Sequence, residues 1–146
     1  MKLLVSSYYK SSNINGFSFA EHRHIDNIGG GNLESRKRTF IHLSEGKTVE
    51  PVKGLFRTTL AYNDRIMLCH FVQKKDTVVA LHSHKAAQNG YIIKGRLKFI
   101  NKDGESFIAE TGCGYAFDSE ELHGSVALED TEFVESFAPI RPEYID

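Results

Sequence analysis

The chemistry in this sequence begins with histidine. There are seven in 146 residues, and three of them fall into an ordered pattern. His82 and His84 stand two apart in a run of strand-forming residues, so period-two alternation turns both imidazoles to one face. His123 comes later, where a second strand can bring it opposite that pair. Two or three imidazoles converging from neighbouring strands suit a first-row transition metal, and imidazole selects weakly among such ions. An isolated His-x-His pair is more often strand decoration than a metal site, since polar side chains are mostly exposed. Further polar residues keep regular company with these three. Gln88 follows His84 after three residues and Gly95 after six more, and Gly112 precedes Asp118, Glu120 and His123. Near the C-terminus Glu135 and Phe137 lie two apart, hence on one strand face, and Arg141 follows a proline turn that can fold it over a site's mouth.

The elements that must position these residues are short strands. After Gly54 the runs Phe56–Tyr62, Ile66–Gln73, Thr77–His84, Asn89–Lys94, Arg96–Asn101, Ser106–Glu110, Tyr115–Asp118, Gly124–Leu128 and Glu132–Phe137 are rich in β-branched and aromatic residues. Turn chemistry separates most of them: Asn63-Asp64, Lys74-Lys75-Asp76, Gly95, Asp103-Gly104, and Gly112 with Gly114. No stretch there sustains a 3.6-residue period, so the expectation is a small antiparallel sandwich or barrel. Residues 1–50 read as an irregular, unassigned extension, with only Leu3–Tyr9 and Thr39–Leu43 extended, and residues 51–146 as the domain.

Composition narrows the function classes. Eighteen basic residues against 19 acidic ones give a formal charge of −1, which argues against a protein built on a nucleic-acid backbone. The longest apolar runs are Ile66–Cys69 and Val78–Leu81, far short of the ~18 residues of a membrane span. Two cysteines, Cys69 and Cys113, without a CxxC spacing fit reduced thiols in the cytoplasm. The remaining motifs carry less. His22 and His24 form a second HxH in the irregular region with no downstream ligand at matching spacing. Arg36-Lys37-Arg38 reads as a solvated face, Gly29–Gly31 lacks the Lys-Ser/Thr of a phosphate loop, and His70 reads as a satisfied core histidine.

The frame His82-Ser83-His84, Gln88, Gly95, Gly112 and His123 resembles the two motifs of the cupins, with every ligand position kept and 16 residues between Gly95 and Gly112. The departures are Asp76 and Glu120 where the motifs have glycine, Asp118 for proline, Ala127 for asparagine, and Gln88 for glutamate. The resemblance implies an all-β cupin fold, a double-stranded β-helix or jelly-roll barrel. It also implies one divalent ion (Ni, Zn, Mn or Fe) on His82, His84, Gln88 and His123. An amide oxygen in place of a carboxylate leaves the ion its full charge, which favours an anionic substrate and Lewis-acid chemistry.

Leu60–Leu68 and His82–Gln88, with the closing run Ala127–Thr131 and Glu135–Arg141, are similar to the small cupins of pectin and alginate breakdown. Those proteins linearise 4,5-unsaturated monouronates to open-chain keto-uronates. That resemblance covers about residues 50–146. It assigns proton transfer to Glu135, at a position where the family has aspartate, carboxylate binding to Arg141, and substrate contact to Phe137. The implied partners are a small anionic sugar acid and, as small cupins commonly dimerise, a second copy of the chain. Two other classes stay open at this point: a different metal-dependent cupin enzyme (dioxygenase, isomerase or lyase), and a non-catalytic sugar-binding or sensing module.

Overall fold

The computed structural model describes residues 11–14, 17–20 and 37–145. Two compact units divide the chain, Met1–Leu33 and Glu34–Asp146. The first contains an antiparallel hairpin, β1 (Ser11–Ile14) with β2 (Phe17–Ala20). The expected strand Leu3–Tyr9, the His22/His24 pair and the Gly29–Gly31 loop lie outside the described residues.

The second unit is a two-sheet antiparallel barrel. Its strands are β3 (Thr48–Val52), β4 (Leu55–Tyr62), β5 (Met67–Gln73), β6 (Val78–His82) and β7 (Ala87–Lys94), followed by β8 (Arg96–Asn101), β9 (Ser106–Glu110), β10 (Gly114–Phe117), β11 (His123–Ala127) and β12 (Thr131–Ala138). Six form one sheet in the order β10-β7-β12-β5-β4-β3, and four form the other in the order β6-β11-β8-β9. Strict alternation drives this arrangement. In β5 every odd-numbered residue from Met67 to Gln73 is buried, and in β12 every odd-numbered residue from Thr131 to Phe137 is, while their neighbours are half-buried. Each sheet thus presents one apolar face, and the two faces meet around Phe71, Ile92, Leu97, Phe99 and Phe133. The Phe71 and Phe133 rings stack at 5.1 Å between centroids, and each such buried side chain contributes roughly 1.5–3 kcal/mol.

Four sequence expectations change. Thr39–Leu43 is not a strand: Leu43–Glu45 forms a 3-10 turn whose capping box pairs His42 with Ser44 and Glu45. These polar side chains satisfy the backbone locally and so compete with extension. The stretch taken as irregular up to residue 50 instead supplies most of β3, which pairs with β4 and sits at the sheet edge. Pro51 is tolerated there because an edge strand does not need every N–H. Arg38, expected on a solvated face, is half-buried, and its guanidinium donates to the carbonyls of Leu60 and Thr59 at 2.6 Å each. His70 is satisfied, with Nε2 2.8 Å from Glu132 Oε1, but its alternation places it on the outer face of β5 rather than in the core.

Candidate metal centre and its acid–base neighbour

Strand register brings the histidines together. β6 and β11 pair with His82 opposite His123, and their ring centroids lie 4.6 Å apart. The sequence placed His84 in the same strand as His82. β6 stops at His82, and His84 reaches the cluster from the following loop, 5.7 Å from the His82 ring and 5.2 Å from His123. Each Nδ1 faces a backbone carbonyl: Ala80 for His82 at 2.9 Å, Ala86 for His84 at 2.7 Å and Glu121 for His123 at 2.8 Å. A carbonyl only accepts, so each Nδ1 carries the proton and each Nε2 keeps its lone pair. Burial, first among the causes, lowers the pKa of His84 and His123, which favours the neutral, ligating form.

The donor set fits a cation. One ligand atom from each of His82, His84 and His123 lies within 4.8 Å of the others. His123 Nε2 is buried without a hydrogen-bond partner. Gln88 Oε1 stands 3.0 Å from His84 Nε2, an acceptor facing an acceptor once Nδ1 holds the ring proton. A divalent ion would resolve both anomalies, and the structure brings Gln88 beside the three histidines, the four residues that the cupin resemblance implies as ligands.

Gln88 joins this cluster to a carboxyl group. Its Nε2 donates to Glu135 Oε1 at 3.1 Å, which fixes the amide with oxygen towards the histidines. The Tyr115 hydroxyl donates to the same Oε1 at 2.7 Å. The register explains the reach. Tyr115 pairs with Gly90 and Gly90 with Glu135, and the phenol lies across the glycine, where a Cβ would overlap it. Burial pushes the Glu135 carboxyl up to about 7, against the lowering effects of Tyr115 and Arg141. A carboxyl in that range both gives and takes protons near neutrality. Tyr115 escaped the sequence reading because its partner is set by register across two strands, not by local spacing.

A third group closes the mouth. Phe137 is 1% exposed, two residues from Glu135 on the same face, and its ring meets His84 edge-on at 5.9 Å. Arg141 lies beyond the strand end, with Nε on Glu143 at 2.8 Å and its guanidinium 5.6 Å from the Phe137 ring centroid. The same guanidinium lies 4.1 Å from the Tyr144 ring centroid, while buried Arg57 lies 3.5 Å from it. The turn that carries Tyr144 is pinned by the Thr59 hydroxyl, which donates to the Tyr144 carbonyl at 2.6 Å, and by Met67 sulfur, which accepts from the Arg141 amide at 3.4 Å. Arg57 and Tyr144 were not singled out from sequence. Alternation marks Arg57 as inward-facing, and that was the available signal. Gln88, His82, His123, Glu135, Phe137 and Arg141 all line one cavity of about 310 Å³.

Residues 70–135 match the sequence profile of the cupin domain. The fold is that of a cupin. Solved structures agree. An RmlC-like cupin from Shewanella frigidimarina superposes with a TM-score of 0.70 at 20% identity, over 75% of this chain and 99% of that one. KdgF from Halomonas sp. superposes with a TM-score of 0.66 at 25% identity, over 73% and 96%. The polyketide cyclase RemF from Streptomyces resistomycificus reaches 0.63 at 19% identity, over 72% and 82%. No curated protein matches the sequence.

The cupin frame also accounts for two departures. Gly95 and Gly112 have φ of 92° and 91°, and among the described residues the two non-glycine residues with positive φ are Asp76 at 65° and Glu120 at 62°. These are the two positions where the motifs have glycine. Both residues hold a left-handed backbone that glycine would adopt more freely, at a cost on the order of 1 kcal/mol each. Backbone bonds help hold it, since the Asp76 amide donates to Ala127 and the Glu120 amide to His84, both at 2.9 Å.

Proposed function

We propose that this protein is a metal-dependent enzyme that converts 4,5-unsaturated monouronates to linear keto-uronates. The observation that carries the reading is the Gln88 amide, which ties the histidine cluster to a buried carboxyl group in the cavity that Arg141 lines. The similarity to KdgF and the resemblance of the closing Glu135–Arg141 run support it. The reaction is an isomerisation and needs no second reactant. The C1 hydroxyl loses its proton, the bond from C1 to the ring oxygen breaks, and the resulting C5 enol gains a proton at C4 to become a ketone.

His82, His84, Gln88 and His123 would hold a divalent ion, which would supply Lewis acidity and positive charge for an anionic substrate. Arg141 offers that carboxylate planar, paired donors. Glu135 moves the proton. Tyr115 and Gln88 both hold its Oε1, which presents Oε2 to the substrate. Phe137 gives the sugar ring an apolar wall and keeps water from the carboxyl group.

The test is ultraviolet absorbance. The substrate's conjugated double bond is consumed, so metal-loaded protein should remove its absorbance faster than the spontaneous reaction does. A rate equal to the spontaneous one would refute the assignment.

A further inference from the structure

The two ends of the cavity differ in chemistry. Along β12 the inward side chains run Phe137, Glu135, Phe133, Thr131, in steps of roughly 6.8 Å. On β5 the partners run Met67, Cys69, Phe71, Gln73. Across the barrel β11 runs His123, Ser125, Ala127, with Phe99 and Leu97 beside the last two. The histidines and Glu135 thus occupy the tiers nearest Arg141, and the cavity continues past them to Phe71, Phe133, Phe99, Leu97, Leu55 and Val79. Of the described residues that line the cavity at that depth, only Gln73 and Ser125 have polar side chains, and they are engaged with each other. The Ser125 hydroxyl donates to Gln73 Oε1 at 3.3 Å, and Gln73 Nε2 donates to the Thr77 carbonyl at 2.9 Å. Sugar hydroxyls lodged among these rings would give up water for little in return, whereas a hydrocarbon chain or ring would gain its full burial.

We infer that the inner part of the cavity is an apolar subsite, and that the protein binds small monocarboxylates with an apolar body, the carboxylate towards Arg141 and the histidines and the body among Phe71, Phe133 and Phe99. The inference shares the carboxylate role of Arg141 with the proposed function but does not depend on the uronate reaction. Such acids occupy the mouth as well as the chamber, so they compete with any uronate for the site.

Calorimetric titration of zinc-loaded protein with acetate, butyrate and hexanoate tests the subsite, with galacturonate as a six-carbon acid of equal charge. Affinity should rise about three- to fourfold per added CH₂, and hexanoate should bind at least tenfold more tightly than galacturonate. Val79→Phe, which fills the chamber from β6, should return hexanoate to the level of acetate while zinc stoichiometry holds. A flat series, or galacturonate preferred over hexanoate, would overturn the subsite in wild-type protein without reference to any variant. Turnover of the unsaturated uronate is scored separately: its absence with a rising series sinks the proposed function alone, and its presence with a flat series sinks the subsite alone.

Discussion

The two sheets of the barrel divide the chemistry between them. The four-stranded sheet brings His82 and His123 side by side through the pairing of β6 with β11, and His84 joins them from the loop that follows β6. The six-stranded sheet carries Gln88, Glu135, Phe137 and Tyr115 on β7, β12 and β10. One wall offers neutral lone pairs; the other offers a carboxyl group and the side chains that hold it. Gln88 belongs to the second wall yet turns its amide oxygen to the first. A barrel built this way keeps a cluster of imidazoles and a buried carboxyl group close, with the Gln88 amide between them.

That division can be broken from either side. The largest effect is expected on the histidine wall. His82→Ala with His84→Ala should abolish metal retention and reduce uronate conversion to the spontaneous rate. The thermal transition of the apo protein should move little, because neither ring belongs to the buried core. Metal content unchanged by the double substitution would refute the centre. On the opposite wall, Glu135→Gln should keep the metal and lower kcat by ~10²–10⁴, the usual contribution of a positioned acid–base group. A variant that turned over at the wild-type rate would move the proton transfer to another residue. The smallest effect tests the mouth. Tyr144→Leu removes the ring between two guanidiniums, a contact worth about 0.5–2 kcal/mol. KM should rise about two- to thirtyfold with kcat nearly unchanged, and Tyr144→Phe should restore it. A fall in kcat at constant KM would show that Tyr144 does not act by holding Arg141.

The same contrast explains what could be read from the residues. The histidine wall was largely legible because its histidines stand at motif spacings, and two-residue alternation reports a face without knowing what lies opposite. The strands after Gly54 were legible for that reason too, from Phe56 through Phe137. Tyr115 was not, since its value depends on a phenol crossing Gly90 to reach a third strand. Arg57 and Tyr144 were hidden because they meet only when the C-terminal turn folds back onto β4. β3 was missed because an exposed edge strand buries too little to impose alternation. His84 was placed one element too early, yet its ring still reaches the cluster.

Asp76 and Glu120 carry a lesson of another kind. A comparison that scores letters counts both as losses from the cupin pattern, although both hold the positive φ that glycine adopts most freely. Glycine is the most permissive occupant of a left-handed position but not its definition. The hereditary record of such a loop lies in its φ values, and drift can rewrite the residue wherever neighbouring backbone bonds hold the bend. Chains related to this one are therefore better sought by the shape of their turns than by the spelling of their motifs.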